Sequence, residues 1–270
     1  MKVWVLGSGS SGNAILLESG NSRVLIDAGF PHTVLASRLA TIGVAVQSID
    51  AVILTHEHLD HARGACTSAK KWGWSLLATR GTVRECAELS AIPVHTFDSN
   101  SSFAVGDFSI EAVHISHDAA DPVAIVATAS GSGVRSAIAY DVGCVTHALR
   151  RALARVDILV LEANHDEEML QYGPYPPSVR QRISGSRGHL SNREAGELAR
   201  DCAHRGLSHL ALAHISKECN LPGVALATVR DHLAGSRVSG SKVRVCAQDA
   251  VTGPFQASGK TASEQLLLGV

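Results

Sequence analysis

Four residues with metal-binding side chains fall within six positions of the segment Thr55-His56-Glu57-His58-Leu59-Asp60-His61, directly after the apolar run Asp50-Ala51-Val52-Ile53-Leu54. A chain leaving a buried strand can aim alternate side chains at one point, so His56 and His58 can bind one ion while Asp60 and His61 turn toward a second. Neutral imidazoles and carboxylates suit Zn²⁺ or Mn²⁺, and the lack of cysteine in the segment argues against soft-metal or iron–sulfur chemistry. The competing reading is a polar loop, or core histidines bonded to the backbone. Four candidate ligands so close together, right behind an apolar strand, weigh against it. Two ions about 3.5–4 Å apart would bridge a water, lower its pKa toward ~7 and hold it as a nucleophile, which is the chemistry of hydrolysis.

Such a loop needs a rigid frame. Lys2 to Leu6, Ala14 to Glu18 and Arg23 to Ile26 read as a strand meander, with turns at Gly7 to Asn13 and Gly20 to Ser22. Pro31 to Thr41 has helical spacing, and 50–54 reads as a strand covered on both faces. Further strands are expected at 75–78, 108–113, 123–127, 136–139, 158–162 and 209–213, alternating with helices over 145–154 and 191–205. Meanders mixed with β-α units point to two sheets between outer helices.

The 270 residues are 45% hydrophobic and 18% charged, enough to bury one sizeable core, and no linker divides them. A single domain over 1–252 and a flexible C-terminal tail over 253–270 are expected, the tail being small and polar at its start. A net charge of -1 excludes the global positive field of an architectural DNA-binding protein, so an anionic substrate must be captured locally. The six cysteines are scattered, with no C-x-x-C pair, which fits a reducing cytoplasm. No signal sequence and no stretch of ~18 apolar residues is found, so a soluble, cytoplasmic protein with no membrane partner is expected.

Two glycine patterns imitate nucleotide sites. Gly7, Gly9 and Gly12 have dinucleotide-binding spacing, but the chain continues into a hairpin rather than a helix. Gly253 to Thr261 has one residue too many for a phosphate-binding loop. No nucleotide cofactor is expected.

H-x-H-x-D-H resembles the signature of the metallo-β-lactamase superfamily, a resemblance that covers most of the chain and implies an α/β, four-layered αββα sandwich. By it, Asp27 is a buried aspartate that orients the histidine loop, and His117, Asp141 and His214 complete the ligand set. His114 competes with His117, but Ser116-His117-Asp118 matches better. His32, His95, His147, His204, His209 and His232 read as ordinary surface or packing residues. Five neutral imidazoles, two carboxylates and one hydroxide around two divalent ions leave a net charge of +1, suited to a monoanionic diester, with Asp60 helping to orient the hydroxide.

Departures from individual branches narrow the resemblance. Asp141 stands where the commonest β-lactamases have cysteine, and His58 where flavodiiron oxidoreductases have glutamate. The 73 positions from Asp141 to His214 are too few for the cap domain of ribonuclease J, and the helical domain of glyoxalase II is missing. Glu162-Ala163-Asn164 and Gly188-His189-Leu190-Ser191 are similar to paired motifs of ribonuclease Z, in which a non-ligand histidine assists the leaving oxygen. That role falls to His189, held by Glu162; the plain alternative is a residue just ahead of the helix cap Ser191-Asn192-Arg193-Glu194.

Together with Gly7 to Asn13, Glu162 to Asp166 and Gly173-Pro174-Tyr175-Pro176, these motifs look like the YycJ/WalJ-type exonucleases. The resemblance implies a 5′-to-3′ DNA exonuclease linked to DNA repair and acting on DNA ends, and leaves His165 and Asp166 without a role. Arg180, Arg182 and Arg187 could grip phosphates while Tyr172 or Tyr175 stacks on a terminal base; a solvated helix face is the bland alternative. The rival functions are ribonuclease Z-like RNA processing, a small-molecule hydrolase acting on thioesters or cyclic phosphates, and a non-catalytic metal-binding regulator. Oligomeric state is left open.

Overall fold

A computed structural model describes residues 1–259, and the expected sandwich is what it shows. The first sheet starts as an antiparallel meander of β1 (Lys2–Gly7), β2 (Ala14–Ser19) and β3 (Ser22–Ile26). It continues through parallel β4 (Ala51–Ile53), β5 (Ser75–Thr79) and β6 (His95–Phe97). The second sheet repeats this plan: β7 (Ser102–Val105), β8 (Phe108–His114), β9 (Val123–Ala129) and β10 (Arg135–Ala139) form the meander. Parallel β11 (Ile158–Glu162), β12 (His209–Ala213) and β13 (Val243–Val245) complete it.

Strand periodicity sorts the side chains into three layers of core. Val3 and Val5 of β1, Val24 and Ile26 of β3, and Ile158 and Val160 of β11 meet between the sheets. Their alternates Trp4, Leu6 and Leu25 pack under α1 (His32–Thr41), the short α2 (Leu59–Ala62) and α3 (Ala65–Trp72). On the other side Leu159, Leu161, Leu210 and Leu212 pack under a second group of helices. After α4 (Arg80–Glu85) and α5 (Ala87–Ser90) on the first side, these are α6 (His147–Leu153), α7 (Glu167–Tyr172), α8 (Pro177–Ile183), α9 (Asn192–Asp201) and α10 (Pro222–Leu233). Strands buried on both faces explain the nearly unbroken apolar runs. Among the described residues no helix is long and apolar enough to cross a membrane.

Parallel strands joined by helices bring their carboxyl ends to one edge of the sandwich. Asp27, the Thr55–His61 loop, Asp141, Glu162 and His214 all sit at or just past those ends, on β3, β4, β10, β11 and β12 respectively. Asn192 starts α9 behind a complete capping box between Ser191 and Glu194, which fixes the chain just after His189.

The tail expected from Gly253 is not loose where it begins. Thr252–Gln256 form β14, antiparallel to β1, with Val3 opposite Phe255, and the Phe255 ring is fully buried between the sheets. One large apolar side chain in a small, polar segment was enough to anchor it. The remainder of that expectation, 260–270, lies outside the described residues. Phe255→Ala should therefore destabilise the protein by about 3–5 kcal/mol in denaturant titration, where a loose tail would show no change.

Candidate metal centre

The histidine loop is built on one carboxylate. Asp27 is fully buried and accepts four hydrogen bonds: from the Thr55 amide (2.8 Å), the Thr55 hydroxyl (2.8 Å), His61 Nδ1 (2.7 Å) and the Tyr140 hydroxyl (2.5 Å). The backbone clamps the same loop: Asn13 and Ala28 donate to the carbonyls of Asp60 and His61 at 2.7 and 2.8 Å. The approach is so close that a Cβ on Gly29 would stand 1.7 Å from the Asp60 carbonyl oxygen, a position only glycine can occupy.

These bonds decide which ring nitrogen each histidine presents. The Thr55 hydroxyl spends its proton on Asp27, so it accepts from His56 Nδ1 at 3.0 Å and leaves His56 Nε2 as a bare lone pair. His61 Nδ1 faces Asp27, His117 Nδ1 faces the Gly188 carbonyl (3.1 Å) and His214 Nδ1 faces Glu162 (2.9 Å). All three partners are acceptors, so each ring carries its proton there and turns Nε2 inward.

The inward atoms converge. His56, His58 and His117 form one group whose ligand atoms lie within 4.8 Å of one another; His56, His61 and Asp141, Asp60, His61 and His214, and Asp141, Glu162, His189 and His214 form others that share members. His61 Nε2 stands 2.9 Å from Asp141 and 3.3 Å from Asp60, and His214 Nε2 is 3.5 Å from Asp60. His56 Nε2 and His214 Nε2 are buried with no hydrogen-bond partner among the described residues. Buried polar atoms are nearly always satisfied, and this donor set of imidazole and carboxylate fits divalent cations.

Protonation follows from packing. Burial, reinforced by the neighbouring His61 charge, holds His56 well below the usual histidine value, and burial likewise lowers His117, so both are neutral. Burial opposes charge on His61 and His214 too, but Asp141 and the other carboxylates outweigh it, raising His61 well above its usual value and His214 to about 9. Burial would raise Asp60 and Asp141, yet both stay well below the carboxylate range because charged His61 and His214 adjoin them.

Glu162, fully buried, is a second organising carboxylate. One oxygen lies 2.8 Å from His189 Nδ1 and 2.9 Å from His214 Nδ1, and the other accepts from the amides of Val142 and Leu190. Burial pushes its pKa up, but the His189 charge and these bonds bring it down to about 2. Burial in turn opposes charge on His189, and Glu162 with Asp141 push it up to about 10. His189 side-chain exposure is 20%, and the ring lines a cavity of about 280 Å³ together with His58, Asp60, Asp141 and His214.

Tyr175 and Arg182 line the same cavity. Arg180 does not: two positions before Arg182 on α8, it points to the opposite helix face and donates to the Gln171 carbonyl. Arg187 is also outside, its Nε bonded to the His117 carbonyl at 3.2 Å, where it braces the loop. The His114 ring is half-exposed beside Asp121, away from the cluster. Sequence reasoning missed Thr55, Tyr140, Asn13 and also Asp118, whose carboxylate lines the cavity 3.2 Å from His117 Nε2. Tyr140 and Thr55 each adjoin a candidate ligand, the one available signal, and Asn13, whose amide lies 3.3 Å from the Asp60 carboxylate, was read only as part of a turn.

Three of these residues hold a left-handed backbone without being glycine: Asp27 (φ 60°), Asp141 (φ 57°) and His214 (φ 53°). Each follows a strand end, where the turn redirects a side chain that pleating alone would send into a core. The conformation costs on the order of 1–3 kcal/mol per residue and persists only where surroundings enforce it.

A sequence profile of the beta-lactamase superfamily domain matches residues 22–215. The chain is 32% identical to exodeoxyribonuclease WalJ of Streptococcus pneumoniae over 239 residues, 86% of this chain and 88% of that protein. It is 29% identical to exodeoxyribonuclease YycJ of Bacillus anthracis over 232 residues, 83% and 86% of the two chains. Among solved structures, the metallo-β-lactamase fold protein YhfI from Bacillus subtilis aligns with a TM-score of 0.69 at 21% identity, covering 93% of this chain and 98% of that one. Human tRNase Z, short form, aligns with a TM-score of 0.64 at 16% identity, covering 95% and 100%. At these identities the two structures show likeness of fold alone.

Two outcomes follow for metal binding. Thr55→Val, which keeps shape but removes the hydroxyl that fixes the His56 ring, should weaken metal affinity by about 10-fold or more in a chelator competition. Below pH 6.5 the metal-free protein keeps the full benefit of charged His61 and His214, and loses it as pH rises through their raised values, about 9 for His214. The metal-loaded form needs those rings bare, so it does not share this loss, and metal affinity rises over the same window. The difference in Tm between metal-loaded and chelator-treated protein should therefore widen from pH 6.5 to 9; a constant or narrowing gap would contradict the assignment.

Proposed function

The chain belongs to the metallo-β-lactamase superfamily, and on that premise we propose that it is a metal-dependent phosphodiesterase that removes nucleotides from DNA ends in the 5′-to-3′ direction, as a soluble cytoplasmic enzyme of DNA repair. The observation that carries this reading is His189, which shares the Glu162 oxygen with candidate ligand His214 through Nδ1, faces the cavity, and in this reading is left off the metals for the substrate. A hydrolase that needs only an activated water has no use for such a group; a diester with a poor alkoxide leaving group does. The names of the relatives, exodeoxyribonucleases, agree with it. The polarity rests on the resemblance read from the sequence.

His56, His58, His61, His117 and His214 with Asp60 and Asp141 would hold two divalent ions, Zn²⁺ or Mn²⁺, which when bound supply an activated water and neutralise charge on the phosphate. Asp60, kept ionised, accepts a hydrogen bond from the attacking water and aims it at phosphorus. His189 enters the reaction as imidazolium, its Nδ1–H on Glu162, and gives the Nε2 proton to the departing 3′ oxygen. Glu162 remains ionised throughout, so it holds His189 upright without competing for that proton. Arg182, with 70% side-chain exposure at the cavity rim, exchanges its 3.6 Å pairing with Asp118 for a phosphate oxygen, and Tyr175 stacks on the terminal base. Few local contacts on a chain of net charge -1 give shallow salt dependence, about 10-fold over a physiological range.

His189→Ala should retain bound metal while lowering turnover about 10²-fold or more; unchanged turnover would remove His189 from the mechanism. The proposal itself is tested by digesting end-labelled DNA and RNA, single- and double-stranded, with Mn²⁺ and Zn²⁺ supplied in turn, beside a glutathione thioester and a cyclic nucleotide. Release of nucleotides from the 5′ end of DNA is expected. Preference for RNA or for either small molecule would overturn it.

A further inference from the structure

The segment between β11 and α9 folds into α7 and α8, and α8 has a cavity on each side. Toward the metal centre it presents Val179, Arg182 and Ile183. Its opposite face, with Arg180, Gln181 and Ser184, walls a larger cavity of about 660 Å³ closed by α7 and the start of α9. The two spaces are neighbours along the chain as well: Asn164 lines the first and His165 the second, and Ser191 in the second is two residues past His189 in the first.

Most of the charges around the larger cavity are engaged with the protein itself. Arg193 is paired with Glu167 at 3.0 Å and Glu197 at 2.7 Å, Glu194 accepts from the Ser191 amide and hydroxyl, and Arg180 donates to the Gln171 carbonyl. Among the described residues Arg193 is thus already ion-paired, and Arg180 is tethered by its backbone bond. What is left is neutral and two-sided. The side-chain amides of Gln171 and Gln181 make no hydrogen bond among the described residues, and Tyr172 stands 75% exposed. His165 is 2% exposed, and its buried Nδ1 has no hydrogen-bond partner. Amide groups that both donate and accept, beside an aromatic face, match the edge and plane of a nucleobase.

We propose that this cavity is a second subsite that takes a base of the substrate strand beyond the nucleotide being removed, stacking it on Tyr172 and reading its edge with Gln171, Gln181 and His165. The strand would cross α8 at Arg182, with its scissile phosphate on the metal side and the next bases on the other. This rests on the reading of the metal centre as a nuclease site. It also gives His165, which has no part in the metal cluster, a task.

The test uses the metal-loaded full chain and the variants Tyr172→Ala and Gln181→Ala, both altered at exposed positions, with metal content and Tm measured to exclude misfolding. The ratio of kcat/KM on an oligonucleotide to that on bis(p-nitrophenyl) phosphate should fall about 10-fold for Tyr172→Ala, through KM. Independently, 2-aminopurine placed at successive positions of a cleavage-resistant phosphorothioate strand should be quenched at one interior position by the wild-type protein and not by Tyr172→Ala. Wild-type protein inert on DNA and RNA would sink the nuclease reading. Active wild-type protein with an unchanged ratio and unchanged quenching in Tyr172→Ala would overturn the subsite alone.

Discussion

A carboxylate with no solvent contact is tolerable only if its oxygens are saturated, and the Asp27 side chain meets that condition with four donors from two separate stretches of chain. Burying a charge costs several kcal/mol unless geometry offsets it, so the four donors are not interchangeable decorations. Thr55 and His61 are the two ends of the histidine loop, and Tyr140 comes from the other sheet, next to Asp141. One charge thus sets the conformation of the loop, the orientation of His61 and, through Thr55, that of His56. It also holds the two sheets in the register at which their candidate ligands meet.

Glu162 plays the same part on the second sheet, and the symmetry is informative. Each sheet supplies a meander, then parallel strands whose carboxyl ends point to one edge, and each contributes one fully buried carboxylate that orients histidines. The difference lies in what is oriented. Asp27 fixes rings that converge as ligands, whereas Glu162 divides its oxygen between His214 and His189, a ring that is left for the substrate.

Much of this was legible in the sequence where a single rule dominated. The strands at 158–162 and 209–213 appear with the expected bounds because each is a short unbroken apolar run, Ile-Leu-Val-Leu and Leu-Ala-Leu-Ala, beside a polar residue. The histidine loop was legible because its residues are close in sequence and follow a strand. Less was available for groups whose significance depends on partners far away. Tyr140 is an ordinary aromatic until Asp27, over a hundred positions earlier, is placed beside it. Short edge strands such as His95–Phe97 and Val243–Val245 carry too few residues for periodicity to register, and they form because a neighbour offers a ladder. Arg180 and Arg182 looked equivalent as members of one basic segment, and only the 100° step of a helix separates their destinations.

The left-handed turns at Asp27, Asp141 and His214 carry an implication for how such a protein can change. At each of them glycine would relax the backbone, but it would also remove a side chain that gathers at or supports the metal centre, at Asp27 leaving the Thr55, His61 and Tyr140 donors unpaired. Backbone ease and assembly of the site therefore pull in opposite directions at these three positions. Tolerance to heat must be accumulated elsewhere in the sandwich if the activity is to survive it.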